Sequence, residues 1–225
     1  MIAQMLIRTA VFIAIMALLL FVPAGTLHWS AAWVYLAGTA ILSVAFGFRL
    51  ARTDPGLLQE RMKPVFQPGQ ERWDKLLLTI TLAAFAVWLV LMALDAARFQ
   101  ASQMPLLLQL VGGIAVVVAT VIGFVVLQEN SFAAPVVRLQ AERGQHVVDT
   151  GLYAHVRHPM YAGAIPYFIG VPLLLGSWHG LWGAPVLTAL LAVRAVLEER
   201  TLIRKLPGYA DYAARVRYRL IPMVW

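Results

Sequence analysis

Apolar residues in this chain run in long, nearly unbroken stretches, each closed by charges or by Pro and Gly. Four stretches stand out: Thr9 to Ala24, Trp29 to Phe48, Leu76 to Ala96 and Pro105 to Leu127. A helix needs about 20 predominantly apolar residues to cross the hydrocarbon of a bilayer, so each predicts a transmembrane helix. Two shorter stretches follow, Tyr161 to Gly176 and Leu181 to Leu197, and Gly176-Ser177-Trp178-His179-Gly180 between them has room only for a tight hairpin. Pro166, Pro172 and Pro185 interrupt this pair. A proline inside a membrane helix frees a carbonyl that a neighbouring helix or a ligand must satisfy. Short, broken helices are therefore expected around a buried site. The pattern predicts an all-α integral membrane protein with about six transmembrane helices, the last two a short hairpin, followed by a C-terminal helical tail.

Composition agrees. The chain is 61% hydrophobic and 13% charged, with a mean hydropathy of +0.76, whereas a soluble domain is about half apolar and a quarter charged. Its 225 residues leave no room for a separate soluble domain. The absence of cysteine excludes disulfides, thiolate nucleophiles and iron–sulfur ligation. A net charge of +7 does not point to nucleic acid, because the basic residues flank apolar spans, where anionic headgroups attract them.

Lys and Arg also sort by side. Arg49, Arg52, Arg61, Lys63, Arg72 and Lys75 lie between the second and third spans, Arg138, Arg143 and Arg157 between the fourth and fifth, and seven more in Arg194 to Arg219; Arg98 falls on the other side. The positive-inside rule then places both termini and both long loops in the cytoplasm, with a bacterial inner membrane as the expected location. Trp29, Trp33, Trp178 and Trp182 fall near the outer interface. The first stretch lacks a convincing cleavage site and reads as a retained span rather than a signal peptide. Ala115, Ala119 and Gly123, at steps of four, predict a close-packing helix face, within the monomer or as a dimer seam.

Polar residues cluster from Gln128 onward, so residues 1–127 read as the lipid and substrate side and 128–225 as the catalytic region. His146, His155 and His158 are spaced nine and three apart with no nearby carboxylate pair, which does not match a zinc site, and no metal is expected. Pro159 suits the first position of a helix, whose N-terminal N–H groups favour an anion. Arg157 adds a planar fork for a carboxylate. The plainer alternatives are an interfacial snorkelling Arg157 and a capping His158. In the tail, Glu198 and Glu199 sit at the end of a span, where ionisable groups point to function. They project about 100° apart on a helix, so one can face the bundle and the other water. Tyr209 and Tyr212, three apart, share a helix face.

The combination Gly151-x-Tyr153, Arg157-His158-Pro159-x-Tyr161-x-Gly163, Glu198-Glu199 and Gly208-Tyr209-x-x-Tyr212, with Arg217 ahead of Ile221-Pro222, resembles the isoprenylcysteine carboxyl methyltransferase family. More broadly it is similar to the membrane methyltransferases that include phospholipid N-methyltransferases. The resemblance covers about residues 128 to 225. It implies that loop, hairpin and tail close over S-adenosylmethionine on the cytoplasmic side, with S-adenosylhomocysteine as product. His158 would hold the methionine carboxylate, Tyr161 would lie against the cofactor, and Tyr209 and Tyr212 would wall the adenosine pocket. Glu198 or Glu199 would bind its amino or ribose groups or face the substrate, and Arg157 would lie closest to the acceptor. His146, Gly151, Tyr153, Pro159 and Gly163 complete the implied cofactor set. Catalytic roles fall on Arg157, Glu198 and Glu199.

The implied acceptor is an isoprenylcysteine-type carboxylate, a phospholipid amine or a thiol, met by a monomer or weak homo-oligomer in the bilayer. Two rivals differ in kind: an NADPH-dependent sterol or polyprenoid reductase, and a non-catalytic scaffold or transporter. Broken helices confined to the second half argue against a transporter, in which they recur in both halves.

Overall fold

The computed structural model describes residues 1–225 and is all-helical, without strands. Helices α1 (Ile2–Ala24), α2 (Ser30–Thr53), α4 (Arg72–Ala93), α5 (Leu106–Glu129), α6 (Pro159–Leu175) and α7 (Gly183–Lys205) form the bundle. Two short helices, α3 (Pro55–Arg61) and α8 (Tyr209–Arg215), lie at one of its ends. Five segments are long and apolar enough to span a membrane, and α6, at 17 residues, is shorter. The chain is an integral membrane protein.

The observed helices overrun the apolar stretches, because backbone hydrogen bonding continues where hydropathy falls. The overrun matters most in α7, which carries Glu198 and Glu199 on its last turns instead of releasing them into a loop. α3 is a separate element: Pro55 opens it and Asp54 caps it, accepting from the Leu57 N–H at 2.8 Å.

The core gathers Leu20 of α1, Tyr35 of α2, Leu89 and Met92 of α4, Val171 and Leu175 of α6, and Leu187 of α7. The closest helix approach is between α5 and α6. A Cβ on Gly112 would lie 2.5 Å from the Leu174 nitrogen and 2.6 Å from the Gly170 oxygen, and one on Gly170 would meet Gly112 O at 2.8 Å and the Ala115 methyl at 3.0 Å. The small-residue face of α5 therefore packs against α6 within the chain, while Gly123 faces open space. Backbone atoms cannot swing aside as a side chain can, so Gly112→Ala is expected to cost about 1–3 kcal/mol. Gly123→Ala is expected to cost nothing, or to gain up to about 1 kcal/mol in helix propensity. Thermal unfolding of the two variants in detergent checks this pair.

The opposite end of the bundle is locked by Asp95, in a single π turn that extends α4 (Leu94–Arg98). Its carboxylate accepts from the hydroxyls of Ser102 and Ser177 and lies 2.9 Å from His179 Nδ1. Trp88 donates to the Gly180 carbonyl at 2.6 Å. These bonds hold the α6–α7 hairpin and thereby set the depth of the other end, where α6 begins and α7 finishes.

Candidate active site

At that other end a cavity of about 270 Å³ opens between four walls. They are the loop from Asn130 to Val148, the start of α6, the last turns of α7, and α8, and Arg61 reaches in from the end of α3. Of the residues singled out in the sequence, His146, Tyr153, Arg157, His158, Tyr161, Glu198, Tyr209 and Tyr212 line it. Gly151, Pro159, Gly163 and Glu199 do not.

Pro159 is the first residue of α6 and His158 its N-cap position. The imidazole does not cap the helix. It stacks parallel to the Tyr161 ring, centroids 5.3 Å apart, with Nε2 3.2 Å from Glu199 Oε1. The angular offset of adjacent helical residues sends the two glutamates to different neighbours. Glu198 faces the cavity and accepts from the Tyr161 hydroxyl at 2.7 Å. Glu199, 4% exposed, is the shared anion of three cationic or ionisable groups: Arg157 Nε at 2.6 Å, Arg219 Nε at 2.9 Å, and His158.

Arg157 is buried and mostly committed. Beyond Glu199, its Nη1 donates to the carbonyls of Ala213, Val216 and Arg217 at 3.1, 2.8 and 3.3 Å. These oxygens belong to the end of α8 and the residues just after it, where free carbonyls and the negative end of a helix dipole favour a cation. Nη2 reaches Glu199 Oε2 at 3.3 Å with one of its two protons. Of five guanidinium N–H groups, one is thus left for a ligand. The backbone completes the clamp: Arg157 N donates to Tyr218 O and His158 N to Arg219 O, both at 2.9 Å. The tail is laid along the loop that precedes α6.

α8 supplies the aromatic wall. Tyr212 donates to the Tyr153 carbonyl at 2.8 Å, and the Tyr153 hydroxyl accepts from Asn130 Nδ2 at 2.9 Å. Burial, reinforced by Glu198 and Glu129, pushes the Tyr153 phenol up to about 12. Burial and the nearby carboxylates raise Tyr209 and Tyr212 as well, so all three stay protonated donors at neutral pH. The Tyr209 hydroxyl is buried and has no hydrogen-bond partner.

Gly151, Pro159 and Gly163, outside the lining, shape the backbone around it. Gly151 has φ +54°, and a Cβ there would fall 2.1 Å from the Glu129 carboxylate, which accepts from Leu152 N at 2.9 Å. Gly163 lets α6 lie against Ile122, whose Cγ2 would be 2.7 Å from an added Cβ. Pro159 starts α6 without leaving an unsatisfied N–H.

Sequence reasoning missed the brace on the far wall. Asp74, fully buried on the first turn of α4, accepts from Arg194 Nε and the Val137 N–H, both at 2.9 Å, and from Gln70 at 2.8 Å. Arg194 also donates to Pro135 O at 2.8 Å and lies 5.8 Å from the Tyr161 ring centroid. A signal existed: Arg194 interrupts an apolar stretch, and a charge at that depth asks for a partner. In the sequence alone it reads only as one more cytoplasmic charge.

Residues 107–208 match the phospholipid methyltransferase family. The match begins in α5, takes in the loop, α6 and α7, and ends at the residue before α8. No curated protein matches the chain in sequence.

Proposed function

Because residues 107–208, a little under half of the chain, match the phospholipid methyltransferase family, we propose that this protein is a membrane methyltransferase that moves a methyl group from S-adenosylmethionine to a lipophilic acceptor at the cytoplasmic membrane interface. The observation that carries this is the cavity itself. It joins one carboxylate that forms no salt bridge, Glu198, to the rings of Tyr161, Tyr209 and Tyr212 and to a buried tyrosine hydroxyl that lacks a partner.

The residues fit this cofactor. Glu198 has no Lys or Arg within salt-bridge distance and suits the amino group of the methionine part. His158, with Nε2 donating to Glu199, offers its second N–H to the methionine carboxylate as the imidazolium, in which both ring nitrogens donate. Tyr161, Tyr209 and Tyr212 offer faces to the adenosine and to a cation, and Tyr209 Oη offers a donor that burial has stripped of water. His146 and Tyr153 close the loop side. When bound, the cofactor supplies a methyl group already activated by its sulfonium.

The chain's own contribution is alignment and dryness. Arg157 serves mainly as a positioning residue. It fixes the N-terminus of α6, the glutamate of α7 and the end of α8 in one cluster, and offers its remaining N–H to the acceptor. A carboxylate acceptor needs no base. For an amine or thiol acceptor, Glu198 takes the proton with the lone pairs that the Tyr161 hydroxyl and the cofactor's amino group leave free. Residues 1–127 form the acceptor side and 128–225 the donor side, with Arg61 and Asp74 reaching across from the first part.

Incubation of the purified protein with methyl-labelled S-adenosylmethionine and a total lipid extract, followed by mass analysis, tests this. Label in a lipid is the expected result, and label in none contradicts it. Tyr209→Phe separates ligand binding from folding. Removing an unsatisfied buried hydroxyl should leave thermal stability of the ligand-free protein unchanged or higher. Calorimetry should show affinity for S-adenosylhomocysteine falling by about three- to tenfold, the worth of one hydrogen bond.

A further inference from the structure

Five cationic side chains line the cavity: Arg61, Arg138, Arg157, Arg194 and Lys205. Four have carboxylates of their own. Arg138 pairs with Glu60 at 2.8 Å and Glu142 at 2.7 Å, Arg157 with Glu199 at 2.6 Å, Arg194 with Asp74 at 2.9 Å, and Lys205 with Glu71 at 2.5 Å. Arg61 has none. Its one protein partner is the carbonyl of Ala133, at 2.9 Å from Nη1.

Arg61 is also held in place. α3 is capped by Asp54 and anchored by Leu57 and Leu58, which bury against Met5 and Leu50. The preceding residue, Glu60, is nearly buried and ties α3 to the cavity loop through Arg138. Burial pulls the Arg61 guanidinium down, with no acidic group to offset it. By the same measure burial pushes the Glu60 carboxyl up, yet its bonds from Lys63 and Arg138 overcome this and leave it below the usual carboxylate range. A fixed, partly dehydrated guanidinium without a counter-ion is suited to a ligand that brings one. Its fork fits the two oxygens of a carboxylate or a phosphate.

We infer that Arg61 is the residue of this chain that holds the carboxylate or phosphate of the lipid acceptor. The inference rests on the methyltransferase reading and adds to it the residue that reads the acceptor's charge. Arg61 lies outside residues 107–208 and reaches the cavity from the last residue of α3. The donor's carboxylate has its own partner in His158, which leaves Arg61 for the acceptor.

The test uses the full chain in neutral maltoside micelles, with oleate, dioleoyl phosphatidate and oleyl alcohol as probes. Binding is measured by thermophoresis with and without saturating S-adenosylhomocysteine. Wild type should bind at least one of the anionic lipids about tenfold or more tighter than the alcohol, the scale of a hydrogen bond to a charged group. Which anion is preferred distinguishes carboxylate from phosphate. Arg61→Gln should erase the preference while keeping affinity for S-adenosylhomocysteine within twofold, which also shows that the variant is folded. Arg61→Lys should restore part of the preference. The inference is overturned if the preference survives in Arg61→Gln, or if wild type shows none. It is equally overturned if Arg61→Gln loses S-adenosylhomocysteine affinity instead, since Arg61 would then hold the donor's carboxylate. Should wild type bind no S-adenosylhomocysteine at all, the methyltransferase reading fails, and the measurements without it still decide what Arg61 binds.

Discussion

Glu199→Ala is expected to abolish S-adenosylhomocysteine binding and to lower the thermal midpoint more than any other single change near the cavity. Its side chain is 5% exposed and is the common acceptor for Arg157, His158 and Arg219. Removing one partner of a buried pair leaves an uncompensated charge and costs about 3–5 kcal/mol. The Arg219 bond contributes least, because that side chain is 32% exposed and solvent screens it. The loss would propagate. Arg157 would no longer be held against the end of α8, and α8 carries Tyr209 and Tyr212. Glu198→Gln provides the contrast. Glu198 accepts one hydrogen bond and pairs with no cation, so that variant should unfold near the wild-type midpoint yet bind the cofactor weakly. Thermal unfolding and calorimetry of the two neighbours together check the division. Equal loss of stability in both would mean that the two glutamates share one structural role.

Asp74→Ala should be almost as damaging, although Asp74 lies outside the residues that match the family. It is fully buried and uses both oxygens, one for Arg194 and one for Val137 N and Gln70. Without it Arg194 is a mostly buried guanidinium, its side chain 11% exposed, beside Tyr161 with only the Pro135 carbonyl. The expected cost is again about 3–5 kcal/mol. The Asn130–Val148 loop would also lose its anchor on α4, so methyl transfer should be lost with it. Asp74→Asn keeps the shape but removes the charge, and should retain part of the stability. Unfolding midpoints and label transfer in both variants test this. Wild-type transfer by Asp74→Ala would show that the loop does not need its anchor.

The spans were legible because hydropathy measures what a bilayer selects, and the hairpin was legible from Gly176 to Gly180. The glutamate pair was legible as a pair. Which of them faces the cavity was not, since that depends on the rotation of α7 within the bundle. Arg157 read as a residue aimed at the acceptor; that most of its donors go to Glu199 and to the carbonyls around the end of α8 follows only from the path of the tail. Asp74 with Arg194, and Arg61 with Ala133, join residues far apart in the chain. No local pattern encodes such a pairing, though the cost of a lone charge near the membrane hinted that one must exist. Gly112 and Gly170 were hidden for the same reason: each is unremarkable in its own helix and matters only where α5 meets α6.

The most direct measurement is a calorimetric titration of the purified wild-type protein with S-adenosylhomocysteine and, separately, with NADPH. One S-adenosylhomocysteine per chain and no NADPH is the expected result for a cavity walled by Glu198, His158 and the tyrosines. Binding of NADPH without S-adenosylhomocysteine would contradict it and make the cavity that of a reductase.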